Sequence, residues 1–180
     1  MSSYYLKNVA VNLSTVRWGC ILVLVFTLLV PLTAIADVKR VIGWVEKVSL
    51  EDGLIMDAKI DTGAKHSSLN IKDHELFKKK GKPWIRFTLA GSDGRKINVE
   101  RRIIRYAEVK RKGYRSQVRP VVELSYCLGD ITKIVEVNLV DRSKFDYQML
   151  VGRSFLMGNY IVDPSIKYTM EPACSKKSES

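Results

Sequence analysis

Histidine and cysteine are scarce in this 180-residue chain, which has two of the first and three of the second. A catalytic zinc centre asks for a pattern such as H-E-x-x-H, which sets two imidazoles on one helical face. His74-Glu75 begins that pattern, but Lys78 stands where the second histidine belongs and only His66 is left over, so no metal site is expected. A glycine-rich phosphate loop is missing too, which leaves ATP, or any other cofactor, without support. Helical periodicity beyond about two turns and internal repeats are absent, which excludes bundles and solenoids. Long apolar runs are confined to one place, near the start.

That run is Gly19 to Val30, with Lys7 and Arg17 before it and Pro31 and Ala34-Ile35-Ala36 after it. A basic start, an apolar centre and an A-x-A end describe a secretory signal cut after Ala36. Trp18 to Ala36 is also long enough to stay as an uncleaved membrane anchor. Both readings put Asp37 onward outside the cytoplasm, periplasmic or exported, and the second holds it at the inner membrane through residues 18–36. The expected organisation is a leader or anchor over 1–36, one domain over 37–172 and a polar tail over 173–180. Cys20 lies at the wrong end of the apolar run for a lipoprotein site. Cys127 and Cys174 remain, and in an oxidising compartment they could pair or stay free.

Negative charge is also in short supply, with 30 Lys and Arg against 19 Asp and Glu, a net +11. Residues 1–36 hold two of the cations and none of the anions, so the domain carries 28 against 19, or +9. Such a field favours anionic substrates or surfaces in encounter, and its plain alternative is solubility alone. The cations are scattered and no recognised motif accompanies them, so nucleic acid is not an expected partner.

From Lys39 onward short apolar alternations lie between turn signals, the pattern of an all-β domain that closes its own edges. A first strand runs over residues 41–50 to a turn at Glu51-Asp52-Gly53, and Leu54 to Ile60 returns from it. Further strands follow over 67–71, 85–89, 96–99, 103–109, 118–126 and 131–140. Lys72 to Lys80 reads as a solvated loop or helical turn with only Leu76 and Phe77 as anchors. Lys110 to Gln117 is a polar hairpin tip.

Chemistry concentrates at Lys59-Ile60-Asp61-Thr62-Gly63-Ala64-Lys65-His66-Ser67-Ser68. Asp61 supplies acid/base capacity at a strand end, and Gly63 allows a backbone approach that a side chain would forbid. An ordinary turn uses the same residue types. A second stretch, Met149-Leu150-Val151-Gly152-Arg153-Ser154-Phe155-Leu156, sets two apolar residues, a glycine and an arginine before a short helix or turn.

Together with Tyr160-Ile161-Val162-Asp163-Pro164-Ser165, these blocks resemble the retropepsin-like aspartic proteases. In particular they resemble the bacterial family that goes by the name ATP-dependent zinc protease, over about residues 39 to 170. The resemblance implies an all-β, retropepsin-like closed barrel with one short helix near the C-terminus, acting as a homodimer. Each subunit would give one Asp61 to a site on the two-fold axis, where one carboxyl acts as base and the other as acid on a shared water. It implies an aspartic endopeptidase with Asp61 catalytic and Thr62, Gly63 and Ala64 meeting an extended protein or peptide substrate. Val151, Gly152 and Arg153 would support the loop from beneath, and Thr62 would bond across the dimer. A hairpin tip at Gly113 and Tyr114 is the expected flap.

Two departures stand out. Retroviral enzymes carry an acid after DTGA that pairs with the arginine of the second block. Here Lys65 takes its place, so Asp141 or Asp146 is the expected partner of Arg153. The bacterial pattern reads DTGAKTSSL, and His66 replaces its threonine. Lys65 and His66 are expected to line the cleft and favour acidic side chains, while an exposed histidine with no role is the plain alternative for His66. Relatives encoded beside glutamate ligases point the same way. A catalytically silent, peptide-binding domain of the same fold is the alternative function.

Overall fold

A computed structural model describes residues 38–71, 73–111 and 114–174. The expected leader or anchor over 1–36 and the end of the tail lie outside the described residues. Twelve strands and one short helix make up the described chain, in the order β1 (Arg40–Ile42), β2 (Val45–Ser49), β3 (Ile55–Ile60), β4 (Ser67–Asn70), β5 (His74–Lys79), β6 (Lys82–Ala90), β7 (Lys96–Arg102), β8 (Arg105–Arg111), β9 (Tyr114–Leu128), β10 (Ile131–Val140), β11 (Met149–Val151), α1 (Arg153–Leu156) and β12 (Tyr160–Val162). Among them no helix is long and apolar enough to cross a membrane.

Alternating burial explains most of these strands. On β9, Val122, Leu124, Tyr126 and Leu128 are buried, and on β6 Ile85, Phe87 and Leu89 are buried while Arg86 faces solvent. Residues two apart share a face of the pleat, so each strand sends one set inward. The inward sets meet in one core that also takes Met149, Val151 and Phe155. Phe155 stacks on Tyr126 with ring centroids 4.4 Å apart, so the helix rests on the longest strand.

Pairing runs β10–β4–β11–β3–β2–β9, and β9 pairs β10 as well, so six strands close into a ring with β8 attached outside β9. Strands β5–β6–β7 form a separate sheet, and β1 pairs β12 in parallel. The expected all-β fold with one short helix is present, and its barrel is a six-strand ring with two smaller sheets beside it. Within the ring, β11 enters parallel to β3 and antiparallel to β4, which places Val151 beside Ile60. That insertion brings the two sequence blocks together.

Two expectations about elements are corrected. Residues 74–79 form an edge strand, not a loop or helical turn, because β5 pairs only β6 and both its faces tolerate charge. The first long strand breaks at Gly43-Trp44, where β1 goes to β12 and β2 to β3 and β9. The break turns Glu46 fully inward, where its carboxylate accepts from Gly43 N at 2.6 Å and from Thr169 N and Oγ1 at 2.9 and 2.7 Å. A buried carboxylate needs such donors, and here they fasten the C-terminal segment over β2. Cys127 and Cys174 are joined, which ties the same segment to β9. Ala173 N also bonds Gly129 O at 2.6 Å, so the tail that was expected to begin at 173 is held to the body at its start.

Candidate active site

Asp61 follows β3 directly, and its backbone is set by strands on both sides. Ile60 N donates to Trp44 O at 2.9 Å and Asp61 N to Val151 O at 2.9 Å. The chain then turns so that Gly63 N and Ala64 N donate to Asp61 Oδ1 at 2.8 and 3.2 Å. A carboxylate that accepts from two amides two and three residues on is locked in rotamer and position. Both bonds fall on Oδ1. Among the described residues nothing hydrogen-bonds Oδ2. Thr62 and Gly63 are exposed and Ala64 is half-buried, so the loop presents an open face.

Beneath the loop lies the start of α1. Arg153 N donates to Ala64 O and Ser154 N to Lys65 O, each at 2.9 Å. Gly152 is required here on steric grounds, since a Cβ would lie 2.6 Å from the carbonyl carbon and oxygen of His66 and 3.1 Å from Ala64 O. Its N–H donates to Ser67 Oγ at 3.1 Å, and Ser67 Oγ in turn shares a 2.7 Å bond with Tyr126 OH. All three groups are buried. Desolvation pushes the Tyr126 phenol far up, so it stays neutral. Val151, Gly152 and Arg153 thus pack against the Asp61 loop through their backbone.

The partner of Arg153 differs from the expectation. Its Nη1 donates to Thr62 O and Gly63 O, both at 2.8 Å, and no ion pair with Asp141 or Asp146 forms among the described residues. Backbone carbonyls on the Asp61 loop replace the acid that retroviral enzymes place after DTGA. Lys65, which stands in that acid's place, is exposed.

Lys65 and His66 do line a cavity of about 400 Å³ beside the loop, together with Arg105, Arg119, Arg142 and Asn138. Asp61 is not among its lining residues, but it acts on Arg142 electrostatically. Arg142 is only 7% exposed, and among the described residues no carboxylate lies within ion-pair distance of it. Its Nη1 donates to Ser68 Oγ at 3.0 Å and its Nε to Tyr147 O at 3.2 Å. Burial lowers its pKa first and Arg119 adds to that, while the charge of Asp61 opposes both. Asn138 Oδ1 is buried with no hydrogen-bond partner among the described residues. His66 is not an exposed loop histidine, since its side chain is 24% exposed. Its Nδ1 lies 3.5 Å from Glu136 Oε2, within ion-pair reach but without a hydrogen bond. Glu136 is held by Arg105.

Ala107, Glu108 and Val109 of β8 and Arg119 of β9 also border this cavity, so the β8–β9 hairpin runs alongside the loop. Gly113 and the side chain of Tyr114 lie outside the described residues. No group of three or more metal-ligating side chains is present among the described residues. His74 and Glu75 occupy neighbouring positions on β5, where successive side chains point to opposite faces.

An aspartate loop at a strand end, crossed by a second glycine strand that opens a short helix, defines the retropepsin-like class. Residues 41–173 match the model of the RimB-like family, described as retropepsin-like aspartic endopeptidase RimB, and the chain belongs to that family. It is similar to a crystal structure of a Legionella pneumophila protein of unknown function, at 36% identity and a TM-score of 0.62, over 74% of this chain and all of that one. A probable alpha-L-glutamate ligase of Shewanella pealeana is 31% identical over 63% of this chain, and one of Desulfotalea psychrophila 28% over 72%. The chain spans only 25% and 29% of the length of those two relatives.

Proposed function

We propose that this chain is an aspartic endopeptidase whose site forms when two copies bring their Asp61 side chains together on a two-fold axis. The observation that carries this reading is the fixing of Asp61 Oδ1 by Gly63 N and Ala64 N, with Arg153 and Gly152 holding the loop rigid from below. A single carboxylate cannot serve as acid and base at once. Two in close contact split their titrations, so that one takes a proton from the attacking water while the other gives one to the scissile carbonyl. The pair then titrates as a unit. Thr62 and Gly63, exposed on the open face, meet the partner subunit and an extended peptide. The β8–β9 hairpin covers the cleft and excludes water.

The substrate proposed is an acidic protein or peptide. Lys65, His66, Arg105, Arg119 and Arg142 border the cavity beside the loop, and an incoming carboxylate would find there one cation, Arg142, whose desolvation has already been met by folding. Relatives that bear the name of glutamate ligases support the same chemistry. Residues 1–36 are proposed to carry the domain out of the cytoplasm, by a cleaved signal or as an anchor. The second reading is a silent peptide-binding domain of the same fold.

Cleavage of acidic peptides that is lost in Asp61→Asn, with peptide binding retained, supports the endopeptidase. Binding by both forms with turnover by neither supports the silent domain and overturns the first reading.

A further inference from the structure

Positive charge is concentrated in the sheet that lies outside the ring. Residues 74–102 hold nine Lys and Arg against three Asp and Glu. In the middle of that sheet the charge is neutralised, since Arg86 donates to Glu75 and Glu100 at 2.6 Å each. At the end of the β5–β6 hairpin it is not. Lys78, Lys79, Lys80 and Lys82 occupy four of five positions there, and all four are exposed. Only Lys79 finds a carboxylate among the described residues, Glu100 at 3.7 Å. Lys80 and Gly81 turn the chain with φ 52° and 74°, the two-residue mirror-type turn that needs left-handed backbone twice. That turn sets Lys79 directly opposite Lys82. Like charges facing each other across a pair destabilise it, and a lysine in a left-handed turn adds strain, so the hairpin is locally unfavourable to its own fold. Costs of this kind accumulate where a surface serves a partner.

Aromatic rings adjoin the cations. Phe77 lies opposite Trp84 with ring centroids 6.4 Å apart, Lys79 Nζ sits 4.8 Å from the centre of the Trp84 ring, and Arg102 pairs Trp84 from β7. The tip is a tight two-residue turn, and cations beside half-buried aromatics match the headgroup layer of a bilayer.

We propose that the β5–β6 hairpin docks the domain on an anionic phospholipid surface, with Lys78, Lys80 and Lys82 at the headgroup phosphates and Trp84 with Phe77 at the edge of the hydrocarbon. The inference stands apart from the peptidase reading. It fits the anchor reading of residues 18–36, which would leave the domain at a membrane.

The test is flotation of the full chain with phosphatidylcholine vesicles and with vesicles that also contain phosphatidylglycerol. A triple variant, Lys78→Gln, Lys80→Gln and Lys82→Gln, is compared with a charge-matched control, Lys39→Gln, Lys144→Gln and Lys167→Gln. Anionic lipid is expected to raise the bound fraction of the wild-type chain by about tenfold or more, with most of that gain lost in high salt. The hairpin variant should lose the gain while its binding to neutral vesicles and its melting temperature stay unchanged, and the control should keep the gain. No gain in the wild type, an equal loss in the control, or a gain that survives in the hairpin variant overturns the proposal. So does capture of soluble poly-L-glutamate through the same three lysines without any response to anionic lipid. Should the triple variant unfold, the three single substitutions read the same gain one charge at a time.

Discussion

Arg153 grips the loop that carries Asp61 by its main chain, with Nη1 2.8 Å from the carbonyl oxygens of both Thr62 and Gly63. Charge-assisted bonds to a backbone hold a turn without any acidic side chain. Replacing Arg153 with Ala should therefore loosen the loop more than the fold. Hydrogen exchange at Gly63 and Ala64 should accelerate by about tenfold or more, while global stability falls by about 1 kcal/mol or less, as expected for a surface side chain. Unchanged exchange would mean that the grip does nothing.

Gly152, Ser67 and Tyr126 form one buried chain of bonds, and Ser67 Oγ serves both ends of it. Ser67→Ala leaves Gly152 N–H and Tyr126 OH both unpaired, whereas Tyr126→Phe removes a single bond. Denaturant melts should show the serine change as the costlier by about 1–3 kcal/mol, the penalty for an additional stranded buried group. Gly152→Ala should cost about 1–3 kcal/mol by overpacking against His66, and the carbonyl in its way is backbone and cannot rotate aside.

His66 makes stability depend on pH. Burial lowers its pKa, with Glu136 only opposing that effect. The folded chain thus takes up the proton at a lower pH than the unfolded one, and stability is lost as pH falls through about 6.5 until the folded-state value is passed. Melting curves in that window should slope less for His66→Gln than for the wild type. An identical slope would contradict the assigned cause.

The Cys127–Cys174 bridge closes a 47-residue loop and ties the segment whose Thr169 caps buried Glu46. Loop entropy alone puts its worth at about 4 kcal/mol. Reduction, or a double change to Ala, should lower the melting temperature markedly, and Glu46→Gln should cost less in the reduced chain than in the bridged one. Additive effects would separate the bridge from the cap.

Both loops of the site are legible as motifs, because an acid at a strand end and a glycine under it are written in residue types. The interlocking of β11 between β3 and β4 was not, since parallel pairing across about ninety residues leaves no local mark. The Arg153 partner was sought among acids, yet carbonyl acceptors carry no sequence letter. Residues 74–79 looked like a solvated loop because an edge strand with charge on both faces loses its alternation. Alternation continues one strand over residues 41–50, and it carries no sign of the break at Gly43-Trp44 that accompanies the burial of Glu46. Arg142 lies between the strand over 131–140 and the block that begins at Met149. Its burial follows from tertiary packing, which alternation alone does not record.

The central claim is that two Asp61 side chains share one water. A crystal structure with a non-cleavable acidic peptide bound tests it most directly. A two-fold dimer with the Asp61 carboxylates within about 3 Å of each other across a single water is the expected result. A liganded monomer, or a dimer whose Asp61 side chains lie apart and face solvent, would contradict the account.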